Sequence, residues 1–283
     1  KAGKMRRTFL FHGFICIAVY ISCQSESRLV DLDQELNQRV FSGGDATIFD
    51  ASGSAFENPI PTLSTVELDK HFAGDAAFEQ VYVTAPAEVN PGLGPVFNGT
   101  SCVGCHGRNG RGRSGFGDSS PFVGSLLMRV SLPGTDPNIP GAPLPVPGFG
   151  SQIGDRSVFG KVPEARIEVS IQTINGQFSD GEVYFLQSPT YRFVETYQEL
   201  PPDILMSPRM APPVFGRGLL EAINEADILA LADPSDIDED GISGRPNYVY
   251  DVKAMSSALG RFGRKANNPT ILQQTADAFH QDM

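Results

Sequence analysis

The chain has 283 residues, is 40% hydrophobic and 19% charged, and carries a formal net charge of −11. That length can bury a sizeable core in one or two domains, and the acidic balance argues against nucleic acid and anionic membrane surfaces as partners. With four cysteines in all, two of them near the N-terminus, this is not a disulfide-stapled fold.

Lys4, Arg6 and Arg7 precede a mostly apolar run at residues 9–21, interrupted by His12 and Gly13, and Ser22-Cys23 closes it. A basic start, an apolar run and a small residue before the cut are the marks of an export signal. A cysteine at that point resembles a bacterial lipoprotein signal, in which Cys23 becomes the lipidated N-terminus. Met5 reads as the start of translation. Tyr20 departs from the leucine usual in such signals, so simple cleavage or an uncleaved anchor stays open. The run is too short for a membrane span. The expectation is a periplasmic protein, lipid-anchored to the outer membrane, with residues 1–23 as its lipoprotein-type signal.

Residues 24–62 are polar and rich in Gly, Ser and Asp, which predicts a tether or irregular arm. Ser64-Thr65-Val66-Glu67 is a capping box and opens a helix predicted through about Val81. Leu68, Phe72, Ala76 and Val81 are its apolar positions. His71 in that helix is a candidate distal ligand, weighed against an ordinary exposed or core-edge histidine.

Cys102-Val103-Gly104-Cys105-His106 is the stretch that carries chemistry. Two cysteines three apart, followed at once by histidine, form the attachment pattern of a c-type haem. Each thiol can add across one vinyl group, and the next imidazole can bind the iron as proximal ligand. The expected cofactor is haem c on Cys102 and Cys105, with His106 on the metal. A zinc site needs about four ligands, and beyond this stretch and the leader only His71 and His280 remain. A thioredoxin-like motif wants a preceding βαβ unit, and a Cys102–Cys105 disulfide leaves His106 unexplained. Gly107, Arg108, Asn109, Gly110, Arg111, Gly112 and Arg113 then form a basic loop suited to covering haem propionates.

Residues 133–154 are rich in proline and glycine and predict a long loop. Residues 166–173 alternate Ile167, Val169 and Ile171 on one face and predict a strand. Turn signals at Asn175-Gly176 and Asp180-Gly181 follow, then strand-like stretches at 183–186 and 191–194, together a β-hairpin insert. Residues 207–213 read as an extended loop. Residues 218–232 read as one helix with Leu219, Leu220, Ile223, Ile228 and Leu231 apolar. Asp236, Asp238 and Asp240 alternate before Gly241, like the front half of a calcium loop. Asn247 stands where the bidentate glutamate belongs, so a solvated acidic turn is an equal reading.

Four ordered segments, residues 92–113, 207–223, 238–247 and 260–283, resemble the di-haem oxidoreductases related to bacterial di-haem cytochrome c peroxidases. The resemblance runs from about Leu63 to the end. It implies two cytochrome c-like domains with one covalent haem each, one haem accepting electrons and the other meeting peroxide. The single CxxCH would be the first, within residues 63–232. Residues 233–283 would be a linker and the start of a second haem domain, whose haem is expected beyond Met283. The family's tryptophan in the segment at 260–266 is absent here, and Arg264 stands in that segment. Met206, Met210 and Met128 are candidate thioether ligands on the distal side, each weighed against a core role, and Arg209 is a candidate propionate contact. The expected fold is mainly α, a cytochrome c-like haem domain with a β-hairpin insertion and long irregular loops. The expected role is electron transfer within a peroxide-reducing di-haem oxidoreductase, with a small cytochrome or cupredoxin as redox partner. A mono-haem electron carrier is the rival reading, and a haem-free lipoprotein with a CxxC disulfide is the remote one.

Overall fold

The computed structural model describes residues 39–41, 43–113 and 125–283. The expected signal, Cys23 and residues 24–38 and 42 of the tether lie outside the described residues. The chain divides into two units, Lys1–His71 and the larger Phe72–Met283.

In chain order the elements are α1 (Thr65–Glu79), β1 (Val83–Thr84), β2 (Pro91–Leu93), β3 (Val96–Phe97), α2 (Cys102–Cys105) and β4 (Leu126–Thr135). There follow β5 (Pro143–Leu144), β6 (Arg156–Ser157), β7 (Arg166–Gln177), β8 (Val183–Val194) and β9 (Leu205–Met210). The chain closes with α3 (Arg217–Ala222), α4 (Glu225–Leu229), β10 (Tyr248–Asp251), β11 (Ser256–Leu259) and α5 (Ile271–Asp282). Strand makes up 28% and helix 23% of the described residues, so the expectation of a mainly α, cytochrome c-like domain is corrected: strands, not helices, build the core.

The reason lies in β4. Leu126, Met128 and Val130 alternate with Leu127, Arg129 and Ser131, the period of a half-buried strand, and the first three are buried. β4 pairs antiparallel with β9, Leu126 opposite Met210 and Val130 opposite Met206, and β5 lies on its other edge. The residues read as an extended loop at 207–213 therefore begin as a strand. Val146, Phe149, Ile153, Ala165 and Ile167 complete the buried cluster, and Val169, Tyr191, Phe193 and Met210 pack against it. Met128 and Ile153 are fully buried, each contributing about 1.5–3 kcal/mol.

β7 and β8 form one continuous hairpin, from Arg166 opposite Val194 to Gln177 opposite Val183. Asn175 and Gly176 lie inside β7, and the turn falls at Asp180-Gly181, where Gly181 takes φ +97° and its N–H donates to Phe178 O. Only the base of the hairpin touches the core. Its outer residues Ile174, Phe178, Phe185 and Leu186 are exposed.

The predicted capping box of α1 forms: Ser64 N–H donates to Glu67 Oε2 at 2.9 Å and Glu67 N–H to Ser64 Oγ at 3.4 Å. The inward face is shifted by one position, with Leu68, His71, Asp75 and Phe78 half-buried while Phe72 and Ala76 are exposed. The single helix expected at 218–232 is two short ones, broken where Ile223 and Asn224 are extended. Arg261 Nη1 donates to the carbonyls of Glu221 at 3.1 Å and Ile223 at 2.6 Å, closing the C-terminal end of α3 as a basic side chain does.

Candidate functional site

The CxxCH stretch folds as a single turn of helix. Ser101 caps it, its Oγ accepting from Gly104 N–H at 3.2 Å, and His106 N–H donates to Cys102 O at 2.9 Å. Cys102 and Cys105 are half-buried and unbonded to each other. Gly99 packs against the second thiol: a Cβ there would lie 3.6 Å from Cys105 Sγ.

His106 is held from a distance. Its Nδ1 lies 2.7 Å from the carbonyl oxygen of Pro212. A carbonyl only accepts, so Nδ1 carries the proton and Nε2 keeps a free lone pair. Phe78 of α1 stands 6.1 Å from the imidazole, ring centre to ring centre. Burial pushes the imidazole below its ordinary pKa, the Pro212 bond works against that, and Arg217 adds to the lowering. The ring is thus neutral at pH 7, the form a metal requires.

Two further bonds fix the segment after β9 against the loop that follows His106. Gly112 N–H donates to Ala211 O at 2.9 Å, and Val214 N–H donates to Asn109 O at 3.0 Å. Gly112 is needed for this approach, since a Cβ would meet Ser125 Cβ at 2.4 Å and Ala211 Cβ at 3.0 Å. Sequence reading singled out the side chains of residues 206–210. The carbonyl of Pro212 was missed, because a backbone acceptor leaves no trace in residue type.

Burial, then the charge of Asp282, pushes both thiols above their ordinary pKa. A catalytic CxxC does the opposite and lowers the pKa of its nucleophile. Both sulfurs are therefore neutral thiols beside a neutral, oriented imidazole, and that donor set fits haem attachment.

The other candidates are spread out. Met128 is fully buried in the core and Met210 packs against the same cluster, whereas Met206 is exposed at the far end of β9. Arg209 is half-buried opposite Leu127. Arg108, Arg111 and Arg113 are exposed and make no ion pair among the described residues. In the acidic loop Asp233, Asp236 and Asp238 bring one ligand atom each within 4.8 Å of one another. Asp240 instead accepts from Ile242 N–H at 2.7 Å. Asp233 accepts from Ile237 N–H at 2.8 Å and Asp236 from Gly241 N–H at 3.2 Å.

A half-buried thiol pair next to an oriented imidazole is a donor set that can hold a bound group, and its raised thiol pKa values differ from those of a catalytic CxxC. The chain belongs to the family described as di-haem oxidoreductase, putative peroxidase, which matches residues 37–283. No curated protein and no solved structure matches it. The resemblance drawn from four sequence segments is thereby established, and haem is the cofactor of this family.

Proposed function

We propose that this chain carries one covalent haem c on Cys102 and Cys105, with His106 as proximal ligand, and passes electrons within a di-haem oxidoreductase that reduces peroxide. The observation that carries the reading is the 2.7 Å contact from His106 Nδ1 to Pro212 O, which leaves Nε2 to the iron, as the carbonyl partners of metal-binding histidines do. Bound haem supplies a one-electron couple whose potential is set by its axial ligands and burial.

The chain's own residues do the rest. Ser101 and the Cys102 carbonyl hold the turn, so the two thiols stay on one helical turn for thioether formation. Pro212 O fixes the imidazole tautomer and restrains ring rotation. Arg108, Arg111 and Arg113 offer positive charge to propionates, and Arg209 is a further candidate for that contact. The family match supports the peroxidase role, and a small cytochrome or cupredoxin suits it as electron partner. The leader-like residues 1–23 support export, with lipid anchoring through Cys23 at the periplasmic face of the outer membrane. The rival reading of a mono-haem electron carrier draws on the single CxxCH in the sequence.

Haem retention tests the proposal. Produced in a host that matures c-type cytochromes, the full chain should keep its haem through denaturation and acid–acetone extraction. Cys102→Ser with Cys105→Ser should lose all of it. Complete extraction of haem from the unaltered chain would overturn the covalent assignment.

A further inference from the structure

The segment that orients His106 contains two consecutive prolines, and a proline has no main-chain N–H. Pro212 and Pro213 therefore offer the rest of the fold only their two carbonyls. The first takes His106 Nδ1 at 2.7 Å, and the second takes Arg217 Nη2 at 2.8 Å. On either side the strap is held by main-chain bonds, Ala211 O accepting from Gly112 N–H and Val214 N–H donating to Asn109 O. Pro212 itself is exposed, so water competes for its carbonyl. The bond to the imidazole lasts only while the strap stays in place.

Arg217 is well placed to keep it there. It is the first residue of α3, and Gly216 before it takes φ +70°, a conformation that residues with a side chain rarely adopt. That turn sends the Arg217 side chain back four residues to Pro213. The far end of α3 is tied by Arg261, and Glu221 Oε1 accepts from Ile271 N–H of α5 at 2.8 Å. The guanidinium is an ionised donor, which makes its bond to Pro213 O stronger than a neutral one. Its charge also reaches the imidazole and opposes a second proton there.

We propose that Arg217 is the positioning residue of the proximal ligand: its guanidinium pins Pro213, and the pinned strap presents the Pro212 carbonyl to His106 Nδ1. The inference rests on the role of His106 proposed above. Fixing the plane and tautomer of the ring sets how the Nε2 lone pair meets the iron, and an outer partner of this kind raises the basicity of the ligand nitrogen. Residue type conceals such a role, since an arginine near a haem motif reads first as a partner for propionates.

The test is hydrogen exchange at His106 Nδ1–H in the haem-loaded full chain, followed by NMR with nitrogen-15-labelled histidine. Arg217→Ala should speed that exchange about tenfold or more, as expected when a charge-assisted hydrogen bond is lost and local opening becomes easier. The amide protons of Val130 and Ile153, bonded within the core to Ser151 O and Met128 O, should keep their protection. Arg217→Lys, whose ammonium can still donate to Pro213 O, should restore part of the protection at Nδ1. Unchanged exchange at Nδ1–H in Arg217→Ala would overturn the proposal. A rise matched by the two core amides would overturn it too, because that reports loss of the fold rather than release of the ring. Should Arg217→Ala not fold, Arg217→Lys decides: faster exchange at Nδ1–H than in the unaltered chain, with the core amides unchanged, supports the proposal, and equal exchange overturns it. Haem held through His106 with an exchange rate blind to Arg217 overturns this inference alone. A chain that holds no covalent haem, or holds it with another residue in the proximal place, overturns the functional reading and this inference with it.

Discussion

In the turn at residues 101–106 the backbone is held by Ser101 and by main-chain carbonyls, and the thiols and one imidazole nitrogen are left with spare capacity. In the loop at residues 233–244 the acids themselves hold the backbone: Asp233, Asp236 and Asp240 each accept a main-chain N–H. Both stretches gather metal-binding residue types within a few positions. A ligand site differs from a turn in where those residues spend their hydrogen bonds. The first stretch is held from outside by Pro212 at His106, and the residues leading into it are tied down by Asn98 and Gln152, whereas the second braces itself.

Removing the brace should give the largest effect. Asn98→Ala deletes two donated bonds, to Ile153 O at 2.8 Å and Asp155 Oδ1 at 2.9 Å, and the acceptor for Gln152. With buried partners left unpaired, denaturant unfolding should show a loss of about 2–3 kcal/mol. A loss near zero would mean that the turn stands without outside support, and the contrast would break there.

A smaller effect is expected at the cap. Ser101→Ala removes the side-chain cap of α2 and should cost about 1 kcal/mol, read as a lowered denaturant midpoint at an unchanged slope. The same variant sharpens the contrast if haem incorporation also falls, since the cap orders the thiols.

The self-braced loop should respond least. Asp240→Ala should change stability by no more than about 0.5 kcal/mol, as exposed substitutions do. Calcium at about 1 mM should leave the melting temperature of the unaltered chain in place, because a bound ligand shows itself by raising it. A calcium-dependent rise would mean that the carboxylates leave their N–H partners for an ion, and the two stretches would then be sites of the same kind.

The helical turn at Cys102–Cys105 was legible in the sequence because it is local, and the capping box at Ser64 and Glu67 is equally short-ranged. The core was less legible. The alternation of Leu126, Met128 and Val130 was present, but Met128 drew attention as a ligand type rather than as one position in a period of two. β9 was read as loop because Pro208, Pro212 and Pro213 punctuate it. Yet Pro208 sits in the ladder opposite Met128, and the other two lie beyond the strand. Asn175-Gly176 is a strong turn signal that tertiary pairing with Phe185 and Tyr184 overrides. The apolar positions of residues 218–232 have helical spacing, but Leu219, Leu220 and Leu231 are exposed, so no packed face held one long helix together.

The contact between His106 and Pro212 joins residues 106 positions apart. Closing a loop of that size costs about 4 kcal/mol in chain entropy, and contacts so distant in sequence form late. During synthesis the two cysteines and the histidine emerge long before Pro212 does. Thioether formation needs only local residues, so it can act on a chain that has not yet folded. The orientation of the imidazole must wait for the far strand to arrive. Under the proposed haem attachment, thioether formation and ligand orientation are separate events in the life of the polypeptide, and a chain caught between them would be coloured but not yet tuned.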